Sequence, residues 1–370
     1  MAESTRPTSA ISMKGGGYYS AHTRGAKYVI DNTASLALDA LARSTVSQGP
    51  DPFTIADFGA ADGGTSVDMV RKLIAGVRER APRRPVTVTY TDLPRNDFSA
   101  LFTMLQGARE DVESYLEEFA GVYAFASGTG FHRQIFANGS LDFGFSATAM
   151  HYLSAIPGPI TDHVHPVGAR DAQAARWRDF AMQDWETILL NRARELKPGG
   201  SLVMSNFCID EQGRYLGNTG GVNMFDTFNA LWKRLADEGV ITQDEYQRTA
   251  FQQFYKNLDE YCAPLRDTTG PVYEAGLRLE SAETRVLRCP YEQHFAQHGG
   301  RVEAFADSYI PTLRSWSEVV FRTGLDAQRP PEECQAIVDR FYESYRDLVI
   351  ADPSGHAMDY VHIYMVVSKV

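Results

Sequence analysis

The chain reads as an α/β protein in which a doubly wound, mostly parallel sheet carries a largely helical cap. Three observations predict this. Short apolar runs of strand length alternate with helix-like stretches over the first 208 residues, the rhythm of a parallel sheet covered on both faces. Small residues crowd the end of the first apolar run, where such sheets turn toward a ligand. Helical patterns then dominate as far as residue 345, before a last β-rich run, VHIYMVV.

The elements follow in order. Met1–Ser12 is polar, lacks an apolar h-region and reads as a flexible leader. Phe53–Gly59 (FTIADFG) predicts a buried strand, and Thr65–Val77 the helix after it. Val86–Asp92 (VTVTYTD) is rich in β-branched residues and predicts a second strand. Asn96–Phe119 predicts one helix, Val122–Ala126 a third strand and Leu141–Ser146 a fourth. Gln173–Leu196 carries Trp177, Trp185 and Ile188 at helical spacing and stops at Lys197-Pro-Gly-Gly. Ser201–Phe207 predicts the fifth strand. Beyond it, Met224–Glu238, Gln243–Leu258, Val302–Thr323 and Pro331–Asp347 predict helices, interrupted by one β-like segment, Thr284–Arg288. Val361–Val367 predicts a strand that rejoins the sheet. The expected domains are a leader (1–12), an α/β core (13–208 with 346–370) and a mostly helical cap (209–345).

Composition excludes some functions. Apolar residues make up 44% of the chain, enough for a large buried core. Lys and Arg number 36 against 47 Asp and Glu, a net charge of −11, which disfavours nucleic acid and anionic membrane surfaces. No run approaches the ~18 apolar residues of a membrane span. The four cysteines, Cys208, Cys262, Cys289 and Cys334, form no CxxC pair, so reduced thiols in a cytoplasmic protein are expected. His151, His163 and His165 are metal-ligating residue types, but Asp162-His-Val-His165 reads as a surface loop with solvated histidines, and no metal is expected.

The segment Asp57-Phe-Gly-Ala-Ala-Asp-Gly-Gly-Thr-Ser66 joins the first strand to its helix. Its small residues let backbone approach a ligand, and the helix N-terminus offers free N–H groups. It lacks the GxGxxG of a dinucleotide site, which argues against a nicotinamide dehydrogenase. Asp92, at the end of the second strand, is placed to accept hydrogen bonds from the ribose hydroxyls of an adenosine.

At this point the chain resembles the SABATH methyltransferases, as a bacterial-type member. Met13-Lys-Gly-Gly-Gly17 resembles the family's N-terminal signature, and Thr91-Asp-Leu-Pro-Arg-Asn-Asp-Phe98 its NDLPxNDF stretch. Phe131 with Gln134-Ile-Phe136 follows, then Ser146-Ala-Thr-Ala-Met-His-Tyr-Leu-Ser154 with Pro157, similar to SSxSLHWLSxxP; Glu195-Leu-Lys-Pro-Gly-Gly200 resembles ELxPGG. The resemblance implies a Rossmann-like class I fold that binds S-adenosylmethionine (SAM). It implies that Lys14 and Thr23 line the methionine end, and that Asp57, Gly59 and Thr65 hold the SAM backbone. Asp92 and Leu93 would hold ribose and adenine, with Gly130 and Phe131 flanking the adenine. His151 and Tyr152 would orient an acceptor carboxylate. Met224, Phe225, Tyr261, Leu313 and Trp316 would shape the acceptor pocket. A homodimer is implied as well. The sequence departs from the family at Tyr152, where Trp is usual, at Ala26, where carboxyl-methylating members carry Gln, and at Gly130, where Ser is common.

The implied chemistry is methyl-ester formation on a small hydrophobic carboxylic acid, fatty or aromatic. The alternative is N- or S-methylation of a small molecule, and a SAM-binding module without turnover is a further reading. The cofactor carries the reactive group, while a carboxylate is already ionised at neutral pH. The expected site therefore has positioning donors and no acid–base residue.

Overall fold

The computed structural model describes residues 24–44, 51–108 and 112–370. Helix α1 (Arg24–Arg43) leads into strand β1 (Phe53–Phe58), and helix α2 (Val67–Arg80) returns the chain to β2 (Val86–Thr91). β1 is buried at every position but Thr54, as a strand covered on both faces must be. Strand β3 (Val122–Ser127) lies at one edge of the sheet and leaves Tyr123 and Phe125 exposed. Strand β4 (Leu141–Ala147), helix α5 (Asp171–Glu195) and strand β5 (Leu196–Ile209) complete the parallel part.

The single helix expected over Asn96–Phe119 is two, α3 (Phe98–Leu105) and α4 (Tyr115–Glu118). Gly107 adopts φ +73°, which ends the first. The Ser114 hydroxyl then donates to the Leu105 carbonyl (2.5 Å) and accepts from Leu116 N–H (3.1 Å), which starts the second.

After β5 the chain forms α6 (Met224–Asp237) and α7 (Gln243–Arg248), and the helix expected as far as Leu258 stops here. Thr249 donates its hydroxyl back to the Glu245 carbonyl (2.8 Å) and accepts from the Trp232 indole (2.9 Å), and the backbone leaves the helix. Residues 249–255 form no helix, and the Gln253 N–H turns back to the Phe251 carbonyl, before β6 (Lys256–Asn257), α8 (Leu258–Arg266) and α9 (Pro271–Glu274). The β-like segment is longer than expected. It is β7 (Leu277–Leu287), which pairs antiparallel with the final strand β8 (Tyr360–Lys369). Part of the segment assigned to the cap therefore belongs to the sheet. Helices α10 (Pro290–His298), α11 (Val302–Gly324) and α12 (Pro331–Ala351) complete the cap.

The main sheet runs β3-β2-β1-β4-β5-β8-β7, with β6 pairing to β5. β1 to β5 are parallel and β8 is antiparallel between β5 and β7. The order reverses between β1 and β4, and the crevice beyond the carboxyl ends of these two strands is where such a sheet accepts a ligand. Two apolar layers flank the sheet, while a third core in the cap is dominated by Phe228, Trp232, Phe251, Phe321 and Phe341. The cap helices are tied together by Glu245, which caps α7 in a box with Thr242 and accepts two bonds from Arg329, at 2.6 and 2.8 Å. Among the described residues, no helix is long and apolar enough to cross a membrane.

Candidate active site at the β1–β4 crevice

The crevice begins where β1 ends. Gly59 turns the chain at φ +83°, and a Cβ there would lie 2.3 Å from that of Ala149, so the loops after β1 and β4 meet at backbone distance. Asp92, just past β2, fixes the first loop. Its carboxylate accepts the Ala61 N–H at 2.8 Å and the Leu93 N–H at 2.7 Å. Asn96 adds a bond from its amide to the Ala61 carbonyl, at 2.6 Å. Each oxygen of Asp92 keeps a second acceptor position for a ligand hydroxyl.

Asp57, Gly59, Thr65, Asp92, Leu93, Gly130 and Phe131 all line one cleft, together with Tyr152. Seven of the cofactor positions inferred from sequence are thus brought together from three separate segments. Asp57 is buried, and one of its carboxylate oxygens has no hydrogen-bond partner among the described residues. Its pKa is pushed up to about 7, chiefly by burial and further by the charge of Asp92, while the Ser66 hydroxyl pulls the other way. A Cβ on Gly130 would stand 3.1 Å from Leu93, so the glycine keeps the two walls apart. An orphaned carboxylate, a backbone cradle at Gly59 and a free acceptor edge on Asp92 fit the amino acid and ribose ends of SAM.

The wall carrying Phe131 has an anchor that the sequence reading missed. Arg192, fully buried in α5, donates to the carbonyls of Phe131 (3.0 Å) and Arg133 (2.9 Å). It is neutralised by Glu195 at 2.6 and 2.7 Å, and Glu195 also accepts the N–H groups of Ile135 and Phe136. Glu195 heads the Glu-Leu-Lys-Pro-Gly-Gly motif, so an Arg three residues before it was the available signal.

The acceptor-side residues separate. Tyr152 lines the cleft, but His151 lies fully buried behind it, with ring contacts to Tyr152 (4.6 Å), Phe207 (4.9 Å) and Tyr255 (5.8 Å). The Gln253 side chain lies against the His151 ring, and burial holds the His151 pKa well below the ordinary value. Met224, Phe225 and Leu313 are buried in the cap core, with Trp316 packed against it. Tyr261 lies in the layer under the sheet, where its hydroxyl donates to the Phe207 carbonyl at 3.0 Å. Lys14 and Thr23 lie outside the described residues, as does the side chain of Ala26.

The expectation of solvated histidines in the 162–165 loop is overturned. His165 is fully buried, stacked on Phe225 with ring centres 3.8 Å apart, and its Nδ1 accepts the Val167 N–H at 3.1 Å. His163 is bridged to Asp226 at 3.2 Å. The loop folds inward because α6 offers it an aromatic face. Among the described residues, no three His, Cys, Asp or Glu side chains are grouped to hold a metal. Other cleft residues were missed. Ser154, held by Asp184 through its N–H (2.7 Å) and hydroxyl (2.8 Å), was visible within the quoted motif. Gln252 was hidden by the helix assigned to its segment.

A family model described as SAM dependent carboxyl methyltransferase matches residues 8–275. The chain belongs to this family. The resemblance read from the sequence motifs was to the same enzymes. Among curated relatives, an indole-3-acetate O-methyltransferase of Arabidopsis thaliana is 27% identical over 243 residues, covering 60% of each chain. A loganic acid O-methyltransferase of Catharanthus roseus is 23% identical over 272 residues, covering 67% of this chain and 70% of its own. A farnesoic acid carboxyl-O-methyltransferase of Arabidopsis thaliana is 25% identical over 253 residues, 62% of this chain and 66% of its own. A solved loganic acid methyltransferase with S-adenosylhomocysteine (SAH) shares the fold, with a TM-score of 0.75 at 17% identity over 97% of this chain and 98% of that one. The shared fold thus extends over almost the whole chain, further than the sequence matches.

Proposed function

We propose that the chain transfers the methyl group of SAM to a carboxylate oxygen of a small hydrophobic acid, fatty or aromatic, giving a methyl ester. The observation that carries this reading is the lining of the crevice. The β1 loop, Asp92 and the Phe131 wall fit the cofactor, and Tyr152, past the end of β4, lines the same cleft. SAM supplies an electrophilic methyl group on a sulfonium. The chain's part is to hold the acceptor oxygen in line and keep water from it, and alignment alone contributes up to ~7–11 kcal/mol in the best intramolecular cases.

The histidines near the cleft support this assignment. His151 is buried behind the wall. His132 lines the cleft, with Nε2 3.7 Å from an Asp184 carboxylate oxygen. An acceptor that arrives ionised, as a carboxylate does at neutral pH, requires neither of them as a base. Tyr152 is the donor assigned to the acceptor, with His151 holding its ring. Ile30, Phe145 and Leu153 give the cleft an apolar lining suited to a hydrophobic acceptor body.

Incubation with methyl-labelled SAM and a panel of fatty, benzoic, indole and isoprenoid acids tests the proposal. Label in base-labile ester from one acid class is expected. Label confined to amine, thiol or xanthine controls would transfer the assignment to nitrogen or sulfur.

A further inference from the structure

Thr148 is the first residue past β4, and its backbone adopts φ +56°. A β-branched residue is an outlier there, and such strain persists only where the surroundings fix it. Here they do. The Thr148 N–H donates to the Ser205 carbonyl at 2.7 Å, and Oγ1 lies 3.1 Å from Nε2 of His362. The residue forms part of the cleft wall, between the backbone contact at Gly59 and the Tyr152 ring.

His362 reaches this position from β8, about two hundred residues along the chain. It is fully buried among Phe207 (4.3 Å between ring centres), Tyr360 (5.8 Å) and Tyr364 (6.3 Å), and its Nδ1 has no partner among the described residues. Burial holds its pKa down to about 3, so the ring is neutral and carries one N–H. A hydroxyl has one hydrogen and two acceptor positions. With the ring hydrogen on Nε2, His362 donates to Oγ1 and leaves the threonine hydrogen free to turn into the cleft.

We propose that Thr148 Oγ1 donates this hydrogen bond to the acceptor carboxylate, with His362 as the positioning residue that orients it. The inference rests on the carboxyl reading above. No bond to Thr148 is made or broken; the hydroxyl holds the acceptor oxygen beside Tyr152. A donor at this point favours an oxygen that only accepts and disfavours an amine whose own hydrogens point at it.

The experiment measures ester formation and SAH affinity for the wild type, Thr148→Val, Thr148→Ser, His362→Leu and the double variant T148V/H362L. Valine keeps the size and branching of threonine and removes only the hydroxyl. Thr148→Val is expected to raise KM for the acid by about tenfold or more, the effect of deleting a hydrogen bond to a charged group. Its kcat falls less and its SAH affinity stays within about twofold. Thr148→Ser restores KM, and the double variant is no worse than Thr148→Val, because His362 acts through the hydroxyl. An unchanged KM in Thr148→Val overturns the inference alone. Equal loss of SAH affinity in the Val and Ser variants also overturns it, since the residue would then serve only the fold. No ester from the wild type overturns the carboxyl reading and this inference together.

Discussion

Asp57 shows how a single side chain is set against the fold for the sake of a ligand. Its carboxyl is fully buried, with a pKa pushed up to about 7. A carboxyl raised above its ordinary 3.8 binds its proton more tightly in the folded state. The destabilisation from ionising it therefore appears as pH rises from about 4 to about 7, and is complete above that. SAM brings positive charge to the cleft and favours the ionised form. Asp57→Asn is expected to raise the melting temperature of the ligand-free protein at pH 8 by a few degrees. In the wild type, SAM should bind about tenfold more weakly at pH 6 than at pH 8. Calorimetric titration at the two pH values checks this, and in Asp57→Asn the dependence should vanish along with much of the affinity. Asp57, Gly59 and Asp92 were readable from sequence because each sits at the end of a strand whose pattern is plain. Thr148 stood in the quoted motif with no role assigned and His362 outside any motif, since neither residue type announces a role and their pairing is made by β8 lying beside β5 in the sheet.

Elements position these residues through two ion pairs of different consequence, one fully buried and one partly exposed. Arg192 and Glu195 tie the end of α5 to the Phe131 wall. Arg329 and Glu245 tie the α11–α12 connection to the start of α7, and the guanidinium holds the Glu245 pKa down at about 2. Replacing either arginine with Met strands a buried carboxylate, at a cost of ~3–5 kcal/mol. Arg192→Met and Arg329→Met should thus destabilise the protein similarly in denaturant unfolding. Only Arg192→Met should weaken SAH binding, because only that pair touches the cleft wall. Equal SAH affinity in the two variants would remove Arg192 from the site. Helix positions were legible where apolar spacing was regular, as in α5, α11 and α12. The Gln243–Leu258 assignment failed because side-chain bonds at Thr249 outcompete the helix, a contest that propensity does not record.

At the scale of the molecule, the sheet makes one crevice from segments spread across the sequence. Ligands that fill it stabilise the native state by about 2.7 kcal/mol at a hundredfold excess over Kd. SAH should therefore raise the unfolding temperature, and NAD at equal concentration should not, since the β1 loop lacks a dinucleotide turn. A thermal-shift series with both separates them, and an equal response to NAD would contradict the cofactor assignment. The long antiparallel pairing of β5 with β8 and of β8 with β7 locks the C-terminal strand into this unit.

Sequence alone determined the alternation of strands and helices, the small-residue loop after β1 and the acidic end of β2. These depend on neighbours within a few residues, where backbone sterics and apolar period act. Only the tertiary structure decided that His165 is buried, that Gln252 reaches the cleft and that β7 joins the sheet. It also decided that a threonine after β4 meets a histidine from the last strand. These outcomes depend on which surfaces meet between segments far apart in the chain. Burial and hydrogen bonding settle that only once the sheet has closed.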